Sequence, residues 1–176
     1  MEHLGLQEAA WLRKIIVERA LTRGDYVLAG GARSDYYIDK FSLFADPHVL
    51  RRIARLFTAV IAEYNPDLVG GTELGGVVIA TAVSQMSGLP MLAVRKKPKA
   101  YGAFANEYVE GPYLAGQHVL LLEDVVTTGR DLLAAAARLR ELELQVTPYA
   151  VVSRGFAPVR ALIQFSLPHD QPKTEN

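Results

Sequence analysis

The sequence predicts an α/β fold in which a central, mainly parallel sheet is flanked by helices. Three observations predict it. Strand-like and helix-like segments alternate from Asp67 onward. The strand-like runs are continuously apolar, as in Val119-Leu120-Leu121-Leu122, which suits strands covered on both faces. The 176 residues, 50% of them hydrophobic and 22% charged, suffice for one domain with its own core.

Each element follows in order. Leu6–Leu21 reads as a helix, with Leu12, Ile15, Ile16 and Ala20 on one side. Tyr26–Asp39, with Gly30-Gly31 at its centre and Tyr36-Tyr37-Ile38 at its end, reads as two short strands around a turn. Pro47 to Tyr64 is a second helix, with Asp46 as N-cap and Pro47 at the first helical position. Its apolar residues Val49, Leu50, Ile53, Leu56, Phe57, Val60 and Ile61 keep helical spacing. Asp67–Gly70 is a short strand, followed by a Gly-rich loop and a helix from about Gly76 to Ser87. Pro90–Val94 and Gln117–Leu122 are strands, Thr128–Leu142 is helical, and Gln145–Ser153 is β-rich. The polar tail 168–176 is expected to fray. No repeat or linker divides residues 1–176, so one domain is expected.

Composition excludes several classes of chemistry. Without cysteine there are no disulfides, thiolate metal sites or cysteine nucleophiles. The longest apolar stretches, Val77–Ala80 and Leu132–Ala137, fall far short of the ~18 residues of a membrane span. Glu2, Glu8, Arg13 and Lys14 interrupt any N-terminal apolar region, so no secretory signal is expected. Nineteen basic residues balance nineteen acidic ones, giving no bulk attraction to nucleic acid or membrane. A cytoplasmic protein without either partner is expected.

In such sheets ligands bind at the carboxyl ends of the strands. The most informative loop there runs Leu120-Leu121-Leu122-Glu123-Asp124-Val125-Val126-Thr127-Thr128-Gly129. Its helix-entering end offers unpaired N–H groups and a positive dipole end, which suit a phosphate. Thr127 and Thr128 add hydroxyl donors, and Gly129 allows close backbone approach. Glu123 and Asp124 suit the hydroxyls of a sugar, so the string as a whole fits a ribose 5-phosphate. It resembles the phosphoribosyl-pyrophosphate (PRPP) signature of type I phosphoribosyltransferases: a hydrophobic run, two acids, two aliphatics, then hydroxyl, small residue and glycine. The resemblance implies that family's fold, with a small N-terminal hood (about residues 1–40) over the base site. It also implies displacement of pyrophosphate from C1 of PRPP by a nitrogenous base, usually with Mg²⁺.

Three further segments extend the resemblance over about residues 10–160. Gly70-Gly71-Thr72-Glu73-Leu74-Gly75-Gly76 looks like the family's pyrophosphate loop, an anion nest formed by Thr72, Glu73, Leu74 and Gly75. Arg95-Lys96-Lys97-Pro98-Lys99-Ala100-Tyr101-Gly102 resembles the mobile catalytic loop of orotate phosphoribosyltransferases, with Arg95, Lys96, Lys99 and Tyr101 matching position by position. Gly31–Asp39 and Ser153-Arg154-Gly155 are similar to that family's base-binding segments. Ala29 stands where the family often has lysine, Tyr101 where histidine is commoner, and Ser153 where aspartate precedes the arginine.

The resemblance implies transfer of phosphoribose from PRPP to orotate. Lys99, Glu123 and Asp124 are its expected catalytic residues. PRPP would be bound by Arg95, Lys96, Lys99, Tyr101, Glu123, Asp124, Val125, Val126, Thr127, Thr128, Gly129, Arg130 and Asp131. Orotate would meet Tyr37, Ile38, Thr127 and Arg154. Mg²⁺ would be held mainly by PRPP and water, with no direct protein ligand. A homodimer is implied, its flap reaching the neighbouring site. The rivals are a purine-type phosphoribosyltransferase and a non-catalytic PRPP-sensing regulator that binds nucleic acid.

Overall fold

The computed structural model describes residues 5–28, 31, 33–100, 107–155 and 157–167. The chain opens with α1 (Leu6–Arg19) and an antiparallel hairpin of β1 (Leu21–Val27) and β2 (Arg33–Ile38). The short α2 (Phe41–Phe44) leads into α3 (Pro47–Tyr64). The Asp46 carboxylate caps α3 by accepting the His48 and Val49 N–H groups at 2.9 and 3.4 Å, as an N-cap aspartate should. Next come β3 (Leu68–Thr72), α4 (Gly75–Ser87), β4 (Met91–Val94) and β5 (Val109–Glu110). The chain continues through β6 (His118–Val126), α5 (Arg130–Glu141), β7 (Gln145–Ser153) and β8 (Arg160–Gln164).

β3 to β8 form one sheet of order β5-β4-β3-β6-β7-β8, parallel except where β5 meets β4. The continuous apolar run of β6 is needed because both its faces are covered. Leu120 and Leu122 belong to a core shared with α1, α3 and α4, whereas Val119 and Leu121 belong to the core under α5. Successive crossovers leave β3 on opposite sides, toward β4 and toward β6. The crevice at the carboxyl ends of β3 and β6 is therefore the topological switch point, where ligands bind in such sheets.

Several boundaries differ from expectation. Helix α1 stops at Arg19, because Leu21 pairs with Ile38 and so starts a strand. β3 runs through Gly70-Gly71 to Thr72. β6 runs on to Val126, because β7 pairs beside it as far as Ser153. Glu123 and Asp124 consequently lie within a central strand rather than in the loop after it. α5 begins at Arg130, after a left-handed Gly129 with φ 74°. α2, β5 and β8 are too short to carry a periodic signal and were not anticipated. Expectations for Ala29, Gly30, Tyr101, Gly102 and the tail 168–176 lie outside the described residues.

Candidate active site

The two acids of β6 are buried beside the end of β3, at 8% exposure for Glu123 and 2% for Asp124. Thr72 Oγ1 donates to Glu123 Oε2 at 2.5 Å, and the Asp124 N–H donates to Glu123 Oε1 at 3.1 Å. Glu123 thus links β6 to the end of β3. Asp124 lies against Gly75, where a Cβ would fall 1.6 Å from Oδ2. The loop packs as tightly on its other side, since a Cβ on Gly76 would lie 2.3 Å from the Leu122 carbonyl. These glycines let the Thr72–Gly76 turn, which contains a cis Glu73–Leu74 peptide, close over the acids.

Sequence reasoning missed Lys40. It follows β2, and its Nζ lies 2.8 Å from Asp124 Oδ2. Burial works against its ammonium, but the hydrogen bond and charge of Asp124, helped by Glu123, outweigh burial and raise its pKa. Burial, then the neighbouring Asp124 charge, pushes the Glu123 carboxyl up to about 7. The signal was present, since Lys40 directly follows the Tyr36-Tyr37-Ile38-Asp39 segment, but its partner lies 84 positions away in β6.

A cavity of about 220 Å³ opens over these groups, lined by Leu28, Lys40, Glu73, Lys96 and the run Glu123–Leu132. It brings together the two acids, Val125, Val126, Thr127, Thr128, Gly129, Arg130 and Asp131 at the start of α5. Lys96 reaches its rim, with its N–H donating to Glu73 Oε2 and its Nζ 3.1 Å from Asp131 Oδ2. Gly129 is also fixed by packing, since a Cβ there would lie 3.0 Å from Val159 and 3.1 Å from Ala157.

Arg95 and Lys99 of the same basic loop sit elsewhere. Arg95 and Lys99 both bind the Glu110 carboxylate of β5, at 2.8 and 3.1 Å, and hold it below the usual carboxylate range, Lys99 first. Arg95 lines a smaller cavity of about 100 Å³ with Thr72, Asp131 and Arg138. Of the cations expected on pyrophosphate, only Lys96 faces the larger cavity in this conformation. Glu110, an isolated acid in the sequence, gave no signal of this role.

On the base side, Arg154 follows β7 and its N–H donates to the Val126 carbonyl at 2.9 Å. Its guanidinium is buried, donating to Tyr36 Oη and Ser34 Oγ, both at 2.9 Å, and lying 3.9 Å above the Tyr36 ring. The hairpin is thereby fastened over the end of the sheet, as a hood should be. Tyr37 is 42% exposed and leans on Tyr26. Ile38 departs from expectation: strand alternation turns its side chain into the core, leaving only its backbone for a ligand.

A phosphoribosyl transferase domain family model matches residues 42–158. The orotate phosphoribosyltransferase of Thermococcus gammatolerans is 41% identical over 79% of this chain and 74% of its own. That of Corynebacterium glutamicum is 34% identical over 94% of this chain and 91% of its own. The chain belongs to the orotate phosphoribosyltransferase family. The orotate phosphoribosyltransferase structure from Aeropyrum pernix superposes with a TM-score of 0.71 at 31% identity, covering 83% of both chains. The family's α/β fold is therefore the one described above, with the β1–β2 hairpin as its hood. Among the described residues, no helix is long and apolar enough to cross a membrane.

Proposed function

We propose that the cavity over Glu123 and Asp124 is where this orotate phosphoribosyltransferase binds PRPP and performs its transfer. The activity is orotate + PRPP giving orotidine 5′-monophosphate and pyrophosphate. The C1–O bond to pyrophosphate breaks, a bond from orotate N1 to C1 forms, and the N1 proton passes to the departing diphosphate or to water. An oxocarbenium-like ribosyl centre needs positioning more than a protein nucleophile, and N1 brings its own electron pair. The observation that carries the assignment is the convergence of two buried acids, a helix N-terminus with Thr127 and Thr128, and Lys96 on one cavity.

In this reading Asp124 accepts the ribose hydroxyls, while Glu123 fixes Thr72 beside them. The start of α5, with Thr127, Thr128, Gly129 and Arg130, takes the 5′-phosphate. The loop Thr72–Gly75 and Lys96 take pyrophosphate, and Arg95, Lys99 and Tyr101 join them from the flap. Orotate lies under Tyr37 and the Ile38 backbone, beside Thr127 and Arg154. Magnesium fits the mixed charge of this mouth as an ion carried by the diphosphate and water, since it keeps much of its hydration. When bound, it spreads charge on the leaving group. The exposed apolar side chains Val27, Tyr37 and Phe41 on and beside the hood support the proposed homodimer. Highly charged PRPP does not cross membranes, so the reaction is placed in the cytoplasm.

A spectrophotometric assay with orotate, PRPP and Mg²⁺ tests the reading. Orotate should be consumed, and adenine or guanine should not replace it. Turnover of a purine in place of orotate would overturn the base assignment, and nucleic-acid binding without turnover would favour a regulator.

A further inference from the structure

We propose that Lys40 is a positioning residue for PRPP, the counter-ion that compensates the two buried acids and holds the Asp124 carboxylate in place to accept both ribose hydroxyls. The proposal rests on the reading that Asp124 holds the diol. It starts from geometry. The Asp124 side chain is 3% exposed, and Lys40 Nζ lies 2.8 Å from its Oδ2. Glu123, next in the strand, is also buried, lines the same cavity and lies within electrostatic reach of Asp124. The other charged groups of the cavity are otherwise engaged or peripheral. Lys96 is held on Asp131, Glu73 accepts from the Lys96 N–H, and Arg130 lines the cavity from α5. Tyr37 also acts on Lys40.

Two adjacent buried carboxylates repel, and the pair holds a proton near neutrality unless a cation compensates. Glu123 already ionises only at about 7 with Lys40 in place. Without the ammonium the pair holds its proton to higher pH, and a protonated pair offers the diol one acceptor fewer. The lysine comes from the segment joining β2 to α2, so the hood contributes to the sugar site as well as to the base site.

The test is calorimetric binding of PRPP with Mg²⁺, without orotate, from pH 6.5 to 9, in wild type, Lys40→Met, Lys40→Gln, Lys40→Arg and Asp124→Asn. Both neutral Lys40 variants should lose about tenfold in affinity at pH 7 and recover most of it by pH 9, because loss of the charge partner moves the titration of the acid pair upward. Their pH midpoint should lie above that of wild type, and Lys40→Arg should stay close to wild type. Asp124→Asn should bind weakly at every pH, and adding Lys40→Met to it should change nothing further. Wild-type affinity in the neutral variants, or a loss that is equal at every pH, overturns the proposal while Asp124→Asn remains weak. Wild-type affinity in Asp124→Asn instead overturns the diol reading beneath it.

Discussion

Arg154 braces the hood with its guanidinium, the group proposed to meet the base. Its bonds to Tyr36 and Ser34 fix the fork in place, and a fixed fork is what a planar carboxylate requires. Arg154→Lys keeps the charge but loses the fork, so kcat/KM for orotate should fall roughly ten- to a hundred-fold, from a charge-assisted bond of ~1.5–3 kcal/mol. PRPP affinity should hold, because its contacts lie on the Glu123–Asp131 run. Equal losses for orotate and PRPP would show that Arg154 only holds the fold together. Glu123 makes a prediction about pH. A carboxyl whose folded pKa is raised to about 7 binds its proton more tightly in the folded state, so stability falls as pH rises from about 4.5 to 7. Melting temperature should therefore rise when pH is lowered from 8 to 6, and Glu123→Gln should flatten that slope. An identical slope in the variant would assign the effect to another group.

At the scale of elements, the flap root joins β4 to β5 and brings Arg95 and Lys99 onto Glu110. In the proposed reaction pyrophosphate draws these cations from a carboxylate, which favours contacts that strengthen as charge develops on the leaving group. Lys99→Ala should raise the barrier to turnover by about 2–4 kcal/mol with little change in PRPP affinity. Wild-type kcat in that variant would reduce Lys99 to a partner of Glu110. What the sequence revealed follows the same division. The string from Leu120 to Gly129 was legible because its chemistry is contiguous, and α3 because its cap and apolar stripe are local. Contacts made across the chain were not legible: Lys40 with Asp124, Glu110 with the flap, and Arg154 with Tyr36. Nor could an apolar strand announce that it continues through two acids, since only the neighbouring strands and Lys40 make that burial tolerable.

The molecule as a whole is tied together at Phe165. Its side chain is 1% exposed, its ring lies 6.3 Å from that of Tyr36, and the Arg13 guanidinium covers its other surroundings at 5.4 Å. Phe165→Ala should cost about 3–5 kcal/mol in urea denaturation, as for other buried aromatics. It should also raise KM for orotate more than for PRPP, because the lost ring supports the hood rather than the β3–β6 crevice. Unchanged stability would mean that the hood rests on α1 alone. Arg13 meanwhile donates to the carbonyl of Gln164, 151 positions along the chain. At about 5–20 residues per second, synthesis separates those two partners by on the order of ten seconds. During translation α1 therefore gains its tie to β8 only after every strand beside the β3–β6 crevice, and Arg154 with them, has been made.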